Sequence, residues 1–434
     1  MLTRVDLRGT TGDVREHLAR ADVDRDAARA QVAEIVAAVR GGGDRVCLEQ
    51  QERLGGIRPR ALRVSAEEIA AARAAVEPAV TAALEQAAAR IRTYHERQLA
   101  EERAPFWRDG ADGAWVGEES RPVERAGCYV PGGRAAYPST VLMTVLPARI
   151  AGVGSVAVCC PPTPIGAVHP ATLVACGIAG ADEVYAIGGA QAVAAMAYGT
   201  ETIPAVDVIC GPGNIWVTLA KHEVALDVGV DAFAGPTEVA IVADASAPPA
   251  FVAADLVAQA EHDPLATAIL ITPSAELIVE VCEALEKECA QASRADDIEA
   301  ALRTFGRAVL VDDLNQAMDV ANAFAPEHLE LICDDAEARL VQVRAAGAVF
   351  VGAYSPVALG DYVAGTNHVL PTAGAARFSS PLRVSNFLHT TAVISFTREG
   401  LDGVAPALLA IAEAEGLDAH ARALRVRLEQ DPRR

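Results

Sequence analysis

Amides, imidazoles and carboxylates that could act on a small polar molecule gather in four stretches of this 434-residue chain. Gln259 and His262 stand three residues apart in a run of helical pattern from Pro248 onward, so they share a face and offer a metal or substrate one amide and one imidazole. Glu327 and His328, in Ala-Pro-Glu-His-Leu-Glu, form an acid/base pair suited to taking a proton from an alcohol or activating water. Pro326 reads as a first-turn residue, which places both groups near a helix start. Asp361 belongs to a long polar loop, 359 to 372, that also holds Asn367 and His368. Loops of that length with interleaved ionisable residues are more often functional than not. Glu415 and His420 lie in a helical tail. Singly, each stretch has a bland alternative: a solvated helix face, a capped helix, a chain reversal, a surface histidine. Together, Gln259, His262, Asp361 and one distant histidine would make an N/O metal site without thiolate, which suits zinc, with manganese or cobalt as alternatives. Spacing alone does not bring the four together.

The elements that must position these groups alternate in type. Residues 1 to about 120 read as helical, with Gly41-Gly42-Gly43 ending one helix, a capping box from Ser65 to Glu68, and an apolar stripe of Val80, Leu84, Ala88 and Ile91 in the helix from Pro78 to Leu99. His95 reads as a packing or surface histidine. From about 123 onward, short apolar runs give way repeatedly to a glycine turn and a helix. Expected strands are 123–129, 155–160, 183–187 and 207–210, then 267–272, 308–311 and 348–351. The run 239–244 is a further buried strand, preceded by Gly-Pro-Thr-Glu at 235–238 with the Thr237 hydroxyl. A helix is expected from about 335 to 345, and from 390 the chain is read as mostly helical to 431. Strand, glycine turn, helix is the pattern of βαβ units and parallel sheets, whose turns bind nucleotides and phosphates. The G-x-G-x-x-G fingerprint is missing, and Gly152-Val153-Gly154 precedes a strand rather than following one, so these are either an atypical nucleotide site or only tight turns.

Composition narrows the classes. Hydrophobic residues at 51% with 22% charged describe an ordinary globular chain. A net charge of -21, from 37 basic against 58 acidic residues, argues against nucleic acid or an anionic membrane surface as partner. The nine cysteines sit mostly in apolar runs with no C-x-x-C pair, so they read as buried reduced thiols and point to the cytoplasm. The N-terminus lacks an apolar leader segment, and the most apolar stretch, 141–160, is broken by Pro147 and Arg149, so no membrane span is expected.

The ordered motifs resemble the histidinol dehydrogenase family along essentially the whole chain. They are Tyr129-Val130-Pro131-Gly132-Gly133, Gly-Gly-Ala-Gln at 188–191, Gly-Pro-Gly-Asn at 211–214, Gly-Pro-Thr-Glu at 235–238 and Gln-Ala-Glu-His-Asp at 259–263. Ala-Pro-Glu-His-Leu-Glu at 325–330, Gly-Thr-Asn-His-Val-Leu-Pro-Thr at 365–372 and Arg-Phe-Ser-Ser-Pro-Leu at 377–382 complete them. The resemblance implies a zinc- and NAD-dependent four-electron oxidation of histidinol, through histidinal, to histidine. It implies zinc on Gln259, His262 and Asp361 of one subunit and His420 of the other, so that a homodimer shares its sites. By the same match His328 is the base for hydride transfer and Glu327 activates water. Thr237, Gln259, His262, His328, Asp361, Glu415 and His420 match substrate-contacting positions; Tyr129, Gln191 and Asn214 match NAD-contacting ones. The implied α/β fold has two incomplete Rossmann-like parallel-sheet domains, one inserted in the other, with small helical terminal segments and an intertwined homodimer. The corresponding division is 1–24, 25–128 with 239–382, 129–238, and 383–434 as a swapped helical domain. Thr237 stands where Ser is common, Trp216 where Tyr is frequent and His389 where Lys or Arg is usual; none removes a catalytic or ligand group.

Overall fold

The computed structural model describes residues 1–21, 25–102, 107–110, 113–132, 135–232 and 235–429; Gly133 of the Pro-Gly-Gly turn and residues 430–431 of the expected terminal helix lie outside them. Two all-parallel sheets organise the chain. The larger has six strands in the order Thr3–Asp6, Arg307–Leu310, Thr267–Thr272, Glu238–Ala243, His328–Ile332 and Ala348–Val351. The smaller has five, in the order Glu183–Ala186, Ser155–Cys160, Arg125–Tyr129, Val208–Cys210 and Gly229–Val230.

Strands 238–243 and 267–272 are buried at every position. Their sequences are unbroken apolar runs rather than alternating ones because helices cover both faces. Val239, Ile241 and Ala243 pack toward the helices Pro249–Ala260 and Ala275–Gln291. Ala240 and Val242 pack toward Leu314–Phe324 on the other side. Around the smaller sheet the long helix Arg25–Gly55, through Val32, Ile35 and Val39, packs outside helices Gly189–Tyr198 and Ile215–Val224, and Pro78–Glu102, through Leu84, Ala88 and Ile91, packs outside Pro138–Ala151 and Pro170–Ala179. Gly43, at φ 55 and ψ -143, breaks the first of these helices where the glycine run suggested a stop. The capping box is present, with Ser65 Oγ accepting from Glu68 N. His95 is a packing histidine, buried with Nδ1 donating to Ile91 O at 2.9 Å.

Four expectations need correction. The N-terminal segment is not helical: Thr3–Asp6 pairs in parallel with Arg307–Leu310, a partner that no local pattern reveals. Trp107–Asp109 and Ala114–Pro122 are strands too, paired antiparallel with each other, and the second pairs antiparallel with Leu388–Phe396, so the last segment opens with a strand before its helices Arg398–Ala414 and Asp418–Glu429. Residues 335–345 form only a 3-10 turn, Ala338–Gln342. His328 begins a strand rather than a helix, since His-Leu-Glu-Leu-Ile sends Leu329 and Leu331 to one face and Ile332 to the other. Helix Pro78–Glu102 also meets the later chain: His95 lies against Asn367, Val384 N donates to Gln98 Oε1 at 2.9 Å, and Val369 and Leu382 share its core. All nine cysteines are free, all but Cys282 and Cys333 buried, and no helix among the described residues is long and apolar enough to cross a membrane.

Candidate active site

The polar cluster of the larger sheet lies at the amino ends of two adjacent strands, paired with His328 opposite Val239. Thr237 immediately precedes one strand and Glu327 the other. Helix Pro249–Ala260 runs back across the sheet, so its last turn delivers Gln259, with His262 just beyond, to the same end. The short helix Val357–Tyr362 brings Asp361 out of the polar loop.

A chain of donors orders the carboxylate. Gln259 Nε2 donates to Thr237 Oγ1 at 2.5 Å, and the Thr237 hydroxyl donates to Glu327 Oε2 at 2.5 Å. Glu238 N donates to the same oxygen at 3.0 Å. The stabilisation expected from a helix start is thus supplied by one hydroxyl and one strand N–H. Burial nevertheless outweighs these donors and, helped by the Asp361 charge, pushes Glu327 up to about 7. A carboxyl poised there can give or take a proton near neutrality. His328 donates Nδ1–H to Glu238 O at 3.0 Å, which leaves Nε2 with its lone pair; burial lowers its pKa and keeps the ring neutral. A neutral imidazole with a free nitrogen is a base.

The residues at this end also fit a metal. Gln259 Oε1 is buried and receives no hydrogen bond. His262 donates Nδ1–H to Ala258 O at 3.0 Å, leaving Nε2 free and 4.0 Å from Asp361 Oδ2. An amide oxygen, an imidazole nitrogen and a carboxylate make three N/O donors with no thiolate, a set suited to zinc and one ligand short of four. Among the described residues no three His, Cys, Asp or Glu side chains form a metal cage by themselves. Gln259 is therefore needed, and its unpartnered oxygen is what makes the set acceptable.

Three groups that residue spacing did not single out support the cluster. His368 donates Nδ1–H to Asp361 O at 2.9 Å and accepts at Nε2 from Thr140 Oγ1 at 3.2 Å. It ties the loop to the first turn of helix Pro138–Ala151, beside the smaller sheet. Its place in the polar loop was the available signal. Arg20 had none: from the N-terminal segment its Nε donates to Glu238 Oε1 at 2.6 Å, and its guanidinium lies 3.9 Å over the Phe324 ring. Its Nη2 donates to the carbonyls of Phe324 and Ala325, bracing the turn before Glu327, where Ala325 holds φ 50. Glu330, last in its motif, is buried two residues beyond His328.

Tyr129, Gln191 and Asn214 stand at the carboxyl ends of the smaller sheet. Tyr129 ends its strand and its hydroxyl accepts from Gly189 N at 3.1 Å. Gln51, from the first long helix, accepts from Gly188 N at 2.9 Å and from Gln191 Nε2 at 3.3 Å, and the Gln191 Oε1 is buried without a donor. Asn214 caps helix Ile215–Val224 by accepting from Trp216 N and Val217 N at 3.1 and 3.3 Å. Two helix N-termini and an unpartnered acceptor at the carboxyl ends of one sheet fit a dinucleotide held by backbone and turn shape. Glu415 and His420 are not brought to the metal-type cluster. They are exposed and line a groove with Leu408, Ile411 and Leu424 between the two C-terminal helices.

A family profile described as Histidinol dehydrogenase matches residues 18–428. A histidinol dehydrogenase from Synechococcus sp. is 50% identical over 400 residues, 92% of each chain, and one from Nocardia farcinica is 48% identical over 439 residues, 99% of this chain and 98% of its own. The crystal structure of histidinol dehydrogenase from Elizabethkingia anophelis matches with a TM-score of 0.91 at 33% identity, over 99% of this chain and 98% of that one. With the same motifs assembled at the strand ends, the chain belongs to the histidinol dehydrogenase family, NAD-dependent oxidoreductases that oxidise histidinol in histidine biosynthesis.

Proposed function

We propose that the chain carries histidinol through both oxidations to histidine, reducing two NAD in turn, with zinc held by Gln259, His262 and Asp361. The carrying observation is the buried Gln259 Oε1 with no donor, beside a free His262 Nε2 and Asp361. Zinc bound there would supply a fixed positive centre that orients the amino-alcohol substrate. The neutral His328 takes the hydroxyl proton as the carbinol hydride leaves for NAD, giving the aldehyde. Glu327 then takes a proton from the water that adds to the aldehyde, and the resulting hydrate loses a second hydride and proton to give the acid. Its pKa of about 7 suits that exchange. Thr237 sets the orientation of Glu327 through its hydroxyl, and Tyr129, Gln191 and Asn214 shape the NAD site.

The zinc set lacks a fourth ligand, while Glu415 and His420 stand exposed on a helical pair whose Ile411 is 59% exposed. That complementarity supports a homodimer in which His420 of the partner subunit completes the metal site and Glu415 of the partner subunit contacts the substrate. We include in the proposal a smaller domain of 129–238, inserted between parts of the larger one, a terminal segment at 1–24 and a swapped segment at 383–434. The larger domain in this proposal is 25–128 with 239–382; Arg25–Gly55 packs on helices of the smaller domain, and Pro78–Glu102 packs on others of them and on the 367–384 stretch. The acidic surface supports a small-molecule substrate without nucleic acid as partner, and the free, mostly buried cysteines support the cytoplasm. Single-turnover oxidation of histidinol and of the aldehyde histidinal by Glu327→Gln tests the division of roles. Loss mainly of the aldehyde half is expected; loss of only the alcohol half would overturn it.

A further inference from the structure

Three elements carry the metal-type side chains or the acid/base pair: the helix of Gln259, the strand of His328 and the helix of Asp361. One buried group touches all three. Glu330 follows His328 by two residues and so faces the same side of the strand, toward helix Pro249–Ala260; Ile332, the next on that side, packs in the same core as Leu256. Its Oε1 accepts from Val357 N at 3.0 Å. Val357 is the first residue of the helix bearing Asp361 one turn later, and that helix has no side-chain cap from its own Pro356. On the other side Glu330 meets the carboxyl of Asp255, one turn before Gln259 on its helix.

The two carboxyls cannot both be ionised at close quarters in a buried site. Glu330 is 1% exposed, and its Oε2 receives no donor from the described residues. An oxygen in that position is resolved only by carrying the proton itself and donating it to Asp255. Burial, then the Asp255 charge, raises Glu330 to about 9, while burial raises Asp255 only to about 6 because the hydrogen bond from Glu330 opposes it. Glu330 is thus built as a neutral acid, accepting from one helix and donating to the other.

We infer that Glu330 and Asp255 form a carboxyl bridge that sets the spacing between the helix of Gln259 and His262 and the helix of Asp361, making both of them positioning residues for the metal. The inference rests on the proposed zinc reading. It assigns a task to the last residue of Ala-Pro-Glu-His-Leu-Glu that neither acid/base chemistry nor metal ligation uses. Glu330→Gln keeps one acceptor for Val357 N and gains an N–H for Asp255, so it preserves the bridge. Glu330→Ala removes it. Val357→Pro removes the N–H that Glu330 receives while keeping an apolar side chain of similar size at a buried position, in the first turn, where proline is tolerated after an extended residue.

The test is zinc binding by competition with a chromophoric chelator on the full-length protein, with the visible spectrum of the cobalt-substituted form as a second readout. Expected is one zinc per wild-type chain, lost in His262→Ala, with affinity ~10–100-fold weaker in Glu330→Ala and weaker in Val357→Pro, and near wild type in Glu330→Gln. The cobalt spectrum is expected to change in Val357→Pro and not in Glu330→Gln. If Glu330→Ala does not fold, Val357→Pro against Glu330→Gln decides alone. Wild-type affinity and spectrum in Val357→Pro, or loss of both in Glu330→Gln, would overturn the bridge while leaving the zinc reading intact. A wild-type chain that binds no zinc, or keeps it in His262→Ala, would overturn the zinc reading and the inference with it.

Discussion

The two sheets present their polar groups at opposite ends. In the smaller sheet Tyr129, the Gly188-Gly189 turn and Gly211 follow strands, so the groups gather at carboxyl ends, where open parallel sheets ordinarily bind ligands. In the larger sheet Thr237 and Glu327 precede strands and His328 begins one, so the cluster lies at amino ends. The chemistry differs with the end. Around the smaller sheet most polar groups are engaged with their own backbone: Tyr129 and Gln51 hold the glycine turn, and Asn214 caps its helix. Around the larger sheet buried groups are left reactive: Glu327 near neutrality, His328 neutral, Gln259 Oε1 unpartnered. In the proposed function one sheet receives NAD and the other reacts, and the Thr140–His368–Asp361 chain joins them. For hydride transfer the two must meet, and a histidine bridging helix Pro138–Ala151 to the Asp361 loop is one place where they do.

Changes at the two ends are therefore expected to fail differently. The largest effect belongs to the base: His328→Ala should lower kcat by ~10²–10⁴-fold while NAD affinity, read by quenching of intrinsic fluorescence, stays close to wild type. A matching loss of NAD affinity would erase the distinction between the ends. Next comes Thr237→Val, which keeps the side-chain shape but leaves Glu327 without its hydroxyl donor and Gln259 Nε2 without its acceptor. Leaving such buried groups unpaired costs about 1–3 kcal/mol each, so a fall in kcat of ~10–100-fold is expected, with Thr237→Ser near wild type. Equal behaviour of the Val and Ser variants would remove the hydroxyl from the account. The smallest effect is at the other sheet. Gln51→Ala loses one acceptor for Gly188 N, worth about 1 kcal/mol, and should raise the KM for NAD by ~5-fold with kcat unchanged. A fall in kcat without a change in KM would place Gln51 in the chemistry instead.

Much of this was legible in the chain before any coordinates. Strand 267–272 has the expected bounds because Thr-Ala-Ile-Leu-Ile-Thr is an apolar run between turn residues, and both its faces are buried. Thr237, Gln259, His262, Glu327, His328 and Asp361 were named through their motifs and gather at one end of the larger sheet, whereas Glu415 and His420, named with them, lie in a groove of the C-terminal helices. What was misread depended on partners far along the chain. Thr3–Asp6 is short and mostly exposed, and only its pairing with Arg307–Leu310 makes it a strand. Pro326 resembles a first-turn residue, yet Ala325 ends the preceding helix in the left-handed region and the neighbouring strand claims His328. Arg20 acts through tertiary contacts alone, so nothing local marks it, and Glu330, though last in a motif, shows its contact with Val357 only in the fold.

The most direct test of the central claim, that the amino-end cluster with its zinc carries both oxidations, is the count of NADH formed per histidinol consumed, before and after chelation. Two NADH per histidinol, lost on chelation and restored by zinc, is the predicted result. One NADH with released aldehyde, or two that persist in the fully chelated protein, would contradict it.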